Sequence, residues 1–102
     1  MIEWANEGFE RMSGYRMEEL IGKSPGVLLQ GKGTDPVSVR RMRAKMNAGE
    51  PVVEEILNYH KNGKAYWVKL HIDPIFDENG NIEKFISIEL DITEERRMKE
   101  EI

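Results

Sequence analysis

The acid Glu89 is the side chain of greatest chemical interest, because it is the only charged residue in the run 85–90. Alternation along a strand places Glu89 on one face with Phe85 and Ser87. The opposite face then carries Ile86, Ile88 and Leu90. A carboxylate on a half-buried face is costly unless it is paired or protonated. Glu89 is therefore a candidate ligand contact or proton-linked switch, and a solvated or arginine-paired glutamate is the alternative.

Three arginines form a second candidate site: Arg40, Arg41 and Arg43. Arg40 and Arg43 are three residues apart, so on a helix they share one face and suit a common phosphate group. A salt bridge and a solvated helix face are the alternatives, and solvation is the usual role of a surface charge run.

Other chemistries find no support in the sequence. His60 and His71 lack the spacing of a zinc-binding pair, and the chain contains no cysteine. The run at 22–24 ends like a phosphate-binding loop, but Met17 stands where that loop needs its first glycine. No serine lies in the context of a hydrolase nucleophile. We therefore predict no metal site and no catalytic residue, so the domain itself is not expected to be an enzyme.

The length of 102 residues suits one domain with a single modest core. Fifteen Lys and Arg residues against nineteen Asp and Glu residues give a net charge of -4, which disfavours nucleic acid as a partner. The chain shows no basic leader and no apolar run near ~20 residues, so we expect a cytoplasmic location without direct membrane insertion. A strand-like start and a helix-like end indicate a piece of a larger polypeptide.

Short helices and one longer helix are predicted for the first half of the chain. After a strand at 2–5, the short helices are expected at 6–12, 17–21 and 27–29. Asn6 is placed to cap the first of these. Thr34-Asp35-Pro36 begins the longer helix, which runs to about residue 48 and has a buried stripe of Val39, Met42 and Met46.

Antiparallel strands are predicted for the second half, at 52–60, 64–75 and 82–92. Asn-Gly pairs connect them, because both residues of such a pair tolerate the positive φ of a tight hairpin turn. Thr93 is placed to cap a last helix over 94–102, with Met98 and Ile102 as its apolar face. In the middle strand one face carries Tyr66, Val68, Leu70 and Ile72, and the other carries Trp67, Lys69, His71 and Asp73. Neither face is simply polar, so we expect partial cover on both faces of the sheet.

Several motifs together resemble the PAS family of sensory domains. They are Trp4-Ala5-Asn6-Glu7-Gly8-Phe9, Ser13-Gly14-Tyr15, Glu18-Glu19-Leu20-Ile21-Gly22-Lys23 and Asp91-Ile92-Thr93-Glu94-Glu95-Arg96. The resemblance covers essentially the whole chain. It implies an α+β fold with a five-stranded antiparallel sheet, here short of its first strand, short helices on one face and a C-terminal signalling helix.

Further motifs resemble the flavin-binding light-oxygen-voltage branch of that family. They are Leu28-Leu29-Gln30-Gly31-Lys32-Gly33-Thr34-Asp35-Pro36, the end of the helix at 40–43, and Asn58-Tyr59-His60-Lys61-Asn62-Gly63. The resemblance implies that Gln30 and Arg43 meet the ribityl-phosphate tail of the flavin and that Asn58 meets the edge of its ring. The chain departs from the branch at four positions, where it has Gly26 for the photoreactive cysteine, Val27 for an arginine, Val68 for an asparagine and Glu89 for a glutamine.

These departures leave the cofactor open. Without a thiol no flavin-cysteinyl adduct can form. The resemblance also implies that a haem-binding member would hold the iron through a histidine on the long helix, and residues 35–48 contain none, which disfavours haem. The altered contacts favour an empty pocket over FMN or FAD, since a less polar pocket recognises flavin less well.

The function implied by the resemblance is sensing within a larger signalling protein, such as a histidine kinase or a diguanylate cyclase. Residues 1–93 form the sensory domain, and residues 94–102 begin the helix that leads to the effector. The candidate ligand contacts are Gln30, Arg40, Arg43, Asn58 and Glu89. The alternative is a ligand-free module that forms a homodimer through an outer face of Trp67, Ile86, Ile88 and Leu90. The expected partners are thus a second copy, the effector and a small-molecule ligand.

Overall fold

The computed structural model describes residues 1–100 and has an α+β architecture. Within those residues the elements follow the order α1 (Glu7–Ser13), α2 (Met17–Leu20), α3 (Pro25–Leu29), α4 (Pro36–Asn47), β1 (Val52–Tyr59), β2 (Ala65–Phe76), β3 (Ile82–Asp91) and α5 (Thr93–Glu100). The strands form one antiparallel sheet in the order β1-β2-β3. None of the helices in this part of the chain has the length and apolar character needed to span a bilayer.

The helix boundaries follow from local sequence. The Asn6 side chain accepts a hydrogen bond from the backbone N–H of Phe9 at the start of α1, and Gly14 ends this helix with a φ of 79°. Asp35 caps α4 in the same way, with Pro36 at its first position. The predicted starts of both helices are therefore confirmed.

Each hairpin turn has three residues inside the backbone hydrogen bond that closes it. The backbone N–H of His60 donates to the carbonyl of Lys64, and an equivalent bond closes the second turn. Only the glycines, Gly63 and Gly80, have positive φ, at 90° and 82°. The predicted hairpins at both Asn-Gly pairs are confirmed. The preceding asparagines do not have positive φ, because a three-residue turn needs the left-handed conformation only at its glycine.

The core lies on one face of the sheet, which we name the inner face. Its buried side chains are Val52, Ile56, Tyr66, Val68, Leu70 and Ile72. Met12 of α1 and Met42 and Met46 of α4 pack against them. The predicted division of β2 and β3 into two faces is confirmed, because the strand register places Leu70 beside Glu89.

Residues 2–5 do not form a strand of this sheet, in contrast to the prediction. Both backbone groups of Ile2 are hydrogen-bonded to Gly22 and Lys23, so they are not available to an edge of the sheet. The sheet within residues 1–100 therefore has three strands, and one edge of β3 has no partner there.

The expected partial cover is found on the outer face at β2, where α5 lies over Trp67, but β3 is open on that face. On the outer face Ile86, Ile88 and Leu90 are 51%, 67% and 62% exposed. The physical reason is that α5, the helix on this face, packs mainly on β2.

Candidate functional site

Three polar side chains of the inner face are buried or half-buried and form no ion pair within residues 1–100, namely Asn58, Tyr66 and Glu89. Asn58 and Tyr66 are paired across β1 and β2, and Glu89 of β3 is paired with Leu70. Because paired residues of antiparallel strands point to the same side of a sheet, all three belong to the inner face. We name these three residues the inner-face cluster.

The amide oxygen of Asn58 has no hydrogen-bond partner within residues 1–100, although the side chain is only 2% exposed. A buried acceptor without a donor costs about 1–3 kcal/mol, and nearly all such atoms in folded proteins are paired. Asn58 therefore presents an acceptor that a donor from a bound molecule can satisfy.

The carboxyl group of Glu89 is half-buried and makes no ion pair among the described residues. Burial raises the pKa of Glu89 from 4.5 to about 7, because removal from water penalises the charged form. Near neutral pH this group is therefore divided between a form that donates a hydrogen bond and a form that only accepts.

The phenol of Tyr66 completes the cluster. Burial raises the pKa of Tyr66 to about 12, the charge of Glu89 adds to this, and the neighbouring Asn58 amide acts in the opposite direction. The phenol thus stays neutral and can both donate and accept. The sequence analysis placed Tyr66 on a strand face and gave it no functional role, although a tyrosine on an otherwise aliphatic strand face was a signal for a polar role.

Gln30 lies at the end of α3, where its side chain covers Gly26. The amide atoms of Gln30 are 3.5–3.6 Å from the position that a Cβ on Gly26 would occupy. These are ordinary van der Waals distances, so the backbone at Gly26 has room for a side chain. The position that the resemblance aligns with the photoreactive cysteine is thus open and faces Gln30.

Thr34 and Tyr59 fix the loop that follows Gln30, and the sequence analysis missed both. The hydroxyl of Thr34 donates to the carbonyl of Leu57 at 2.6 Å, and the hydroxyl of Tyr59 accepts from the backbone N–H of Gly33 at 2.8 Å. A Cβ at Gly31 would lie 2.5 Å from the Tyr59 ring, so only glycine fits there. The glycines of this loop were the signal for its close approach to β1.

The arginine cluster of α4 divides in the structure. Arg41 pairs with Glu54 of β1, with Nε 2.9 Å from the carboxylate, and this contact raises the pKa of Arg41 and lowers that of Glu54. Arg40 and Arg43 are exposed and form no ion pair within residues 1–100. They remain available to an anion, and no hydrogen bond joins them to the inner-face cluster.

The predicted outer face also divides. Ile86, Ile88 and Leu90 are open, whereas Trp67 lies under α5. The guanidinium of Arg96 stacks on the Trp67 ring at 3.7 Å from its centroid and binds Glu55 at 2.9 Å. Trp67 is therefore half-covered within the chain itself, so it is not an open part of this face.

The link between β3 and α5 differs from the prediction. The carboxylate of Asp91 accepts the backbone N–H of Thr93 at 2.9 Å, so Asp91 takes the capping role predicted for Thr93. The Thr93 hydroxyl instead accepts the backbone N–H of Trp67 at 2.8 Å. This occurs because Ile92 continues the pairing with β2, which places Thr93 over that backbone. Of the predicted apolar face, Met98 is exposed and Ile102 lies outside the described residues.

The flavin implied by the resemblance fits these residues in part. The unpaired Asn58 oxygen matches a donor on a ring edge, Gln30 lies beside the open position at Gly26, and Arg40 and Arg43 can bind a phosphate. Val68 is fully buried and adds no polar contact. Within residues 1–100 no group of three or more acidic or histidine side chains could hold a metal ion.

Comparison with known sequences places residues 1–94 in the family described as PAS domain. Blue-light-activated histidine kinases from Brucella canis and Brucella anthropi are 40% and 44% identical to the chain over 92 residues, or 90% of its length. The chain spans only 19% and 18% of these two proteins.

Solved structures agree with this match. A light-oxygen-voltage domain studied with a flavin analogue has a TM-score of 0.87 at 31% identity, covering 98% of this chain and 76% of that one. The light-oxygen-voltage domain of the Erythrobacter litoralis EL346 blue-light activated histidine kinase has a TM-score of 0.83 at 32% identity, covering 89% of this chain and 83% of that one. The chain therefore belongs to the PAS family as a sensory domain of its light-oxygen-voltage branch, and it is a member without cysteine.

Proposed function

We propose that residues 1–93 form a sensor that binds a flavin at the inner-face cluster, and that residues 94–102 connect it to an effector. The observation that carries this proposal is the unpaired, buried oxygen of Asn58 on the same face of the sheet as the half-buried carboxyl of Glu89. Met12 of α1 and Met42 and Met46 of α4 pack on this face. A core built only for stability would place apolar side chains at such positions.

The chemistry of the cluster matches the edge of a planar heteroaromatic ring. Asn58 accepts from a ring N–H, and Glu89 donates or accepts according to its protonation. Arg40 and Arg43 bind a terminal phosphate, and Gln30 contacts the chain between ring and phosphate. A flavin, when bound, supplies redox and light-absorbing chemistry that no side chain of this protein has. The names of the similar proteins, which refer to a flavin analogue and to blue light, support this choice.

The path from the cluster to α5 is short. Glu89 is two residues before Asp91, which caps α5, and Ile92 anchors the junction as a buried side chain. A change in the protonation or hydrogen bonding of Glu89 shifts this end of β3. Because Thr93 is hydrogen-bonded to Trp67, the shift alters how the first turn of α5 sits on the sheet.

The proposed effector is a histidine kinase module in the same polypeptide, which would act in the cytoplasm because it needs ATP. The similarity to blue-light-activated histidine kinases supports this. Those kinases are about five times longer than the chain, which leaves room for an effector module.

The test is a titration of FMN with the 102-residue chain, in which quenching of the flavin fluorescence measures binding. We expect the native chain to bind FMN and Asn58→Leu to bind at least about tenfold more weakly, since a hydrogen bond in a dry site is lost. Asn58→Leu should also raise the stability of the free protein by about 1 kcal/mol, because it removes an unpaired buried acceptor.

The control is Asn81→Leu at an exposed turn position, which should change neither quantity. Failure of the native chain to bind FMN or FAD contradicts the flavin proposal. Equal binding by the native chain and Asn58→Leu contradicts the role of Asn58.

The open apolar column of Ile86, Ile88 and Leu90 favours a second candidate function, homodimerisation through the outer face. Ile88→Lys should convert a dimer to a monomer in analytical ultracentrifugation. The matched control is Val27→Lys, which changes an apolar side chain that is 86% exposed on α3, away from this face. A monomeric native chain contradicts the dimer.

A further inference from the structure

The outer face of the sheet carries an ordered grid of side chains. Strand pairing aligns Lys69 with Leu90, His71 with Ile88 and Asp73 with Ile86. An apolar column on β3 therefore lies beside a polar column on β2. The polar column consists of Lys69, His71 and Asp73, in that order along the strand. The first turn of α5 covers Trp67 and bounds this surface at one end.

The two charges of the polar column have no partner within residues 1–100. Lys69 is aligned with Glu55 of β1, but Glu55 is bound to Arg96 at 2.9 Å. Lys69 and Asp73 are four residues apart on one strand, which separates them by about 13 Å and prevents them from pairing with each other. Both charges are therefore free to meet opposite charges on another molecule.

A second copy of the same surface supplies those charges in only one of two simple orientations. One possible two-fold axis runs along the His71–Ile88 row, perpendicular to the strands. Two outer faces packed about this axis have the strands of one copy antiparallel to those of the other. Lys69 then faces Asp73 of the second copy, and Leu90 faces its Ile86. If the axis instead runs along β2, Lys69 faces another Lys69, and like charges in contact are unfavourable.

We propose that the outer face binds a second copy of this chain about the first axis, with two Lys69–Asp73 ion pairs flanking the apolar columns. This inference rests on the homodimer proposed above and assigns its geometry. An interface of this kind is isologous, since each residue pair occurs twice. The apolar columns supply the affinity and the ion pairs select the orientation.

A charge exchange in the 102-residue chain tests the orientation. Lys69→Glu and Asp73→Lys, each alone, place like charges in contact and should weaken the dimer at least about tenfold in sedimentation. An equimolar mixture of the two variants should form a heterodimer, and the double variant should recover the native dimer. Circular dichroism melting checks that each variant is folded.

Cross-linking gives an independent readout, because the chain has no native cysteine. With a short bismaleimide, His71→Cys on the axis should cross-link to itself. Lys69→Cys should cross-link only when mixed with Asp73→Cys. Self-linking of Lys69→Cys indicates the other axis and overturns the proposal.

The outcomes separate the two proposals. If Ile88→Lys abolishes the dimer while the charge variants leave it unchanged, homodimerisation stands and this geometry is wrong. If the native chain is monomeric, both are wrong.

Discussion

At Glu89 the protein keeps an acid where burial disfavours its charge. Folding raises the pKa from 4.5 to about 7, so the folded state binds the proton more tightly than the unfolded state does. The stabilisation is fully present below about pH 4.5 and is lost as the pH rises through about 7. This loss is the free energy available to a proton-linked change at the inner-face cluster.

Glu89→Gln should remove this pH dependence. Between about pH 5 and about pH 8 the free energy of unfolding of the native chain should fall by about 1–3 kcal/mol relative to that of the variant. Urea unfolding at the two pH values measures the difference. Glu83→Gln, an exposed acid on the same strand, is the control and should keep the native slope. An unchanged slope in Glu89→Gln would show that the carboxyl is solvated.

Gly26 offers a direct probe of where the ligand binds. The atoms nearest to a Cβ at this position belong to Gln30 and lie at ordinary contact distance, so Gly26→Cys should fold. In this otherwise cysteine-free chain, FMN should slow the reaction of the introduced thiol with iodoacetamide at least about tenfold, because a ligand at the site covers it. Asn81→Cys, at an exposed turn position, should react at the same rate with and without FMN. Equal rates with and without FMN in Gly26→Cys would place the ligand elsewhere.

Among the elements, α5 is held by few contacts. No residue of α5 is fully buried, and its first turn depends on the Thr93 hydroxyl, the Asp91 cap and the Arg96–Trp67 stack. Such an attachment suits a connecting helix, because a small free-energy change can release it. By contrast, α4 adds the Arg41–Glu54 pair to its packed methionines.

Thr93→Val should loosen α5 without unfolding the sheet. It leaves the Trp67 N–H without its acceptor, which should lower stability by about 1–2 kcal/mol. Hydrogen exchange should speed up at the amides of α5 and change little in β1. Met98→Ala, at an exposed position of the same helix, is the control. Equal protection in Thr93→Val and the native chain would exclude this anchor.

At the scale of the whole molecule, the sheet is covered unevenly. Helix α4 packs on β1 and α5 packs on β2, while β3 keeps an open outer face and an edge that has no partner within residues 1–100. An open edge invites strand pairing and an open apolar face invites packing. The two kinds of association protect different backbone groups, so they can be told apart.

Hydrogen exchange along β3 should make this distinction. The N–H of Ile92 donates to the carbonyl of Trp67, so by alternation the N–H groups of Ile88 and Leu90 point toward β2 and those of Ser87 and Glu89 point to the free edge. We expect fast exchange at Ser87 and Glu89 at all protein concentrations, since face-to-face packing leaves the edge open. Protection of these amides at high concentration would indicate edge pairing instead.

The sequence by itself determined the elements and their faces. Caps at Asn6 and Asp35, glycines at the turns and period two in β2 and β3 act within a few residues, so local pattern was enough to place them. The same alternation put Glu89 on the inner face. It also indicated α4 and its methionine stripe.

Only the tertiary structure decided what depends on distant residues. The Arg41–Glu54 pair and the Thr93–Trp67 hydrogen bond each join residues that are 13 or more positions apart in the sequence. The lack of a partner for the Asn58 oxygen within residues 1–100 also depends on which distant segments pack against it. The hydrogen bonds of Ile2 to Gly22 and Lys23 and the exposure of β3 also depend on how distant segments pack. Side-chain partners and cover follow from how elements pack in space, and no local pattern in the chain specifies that packing.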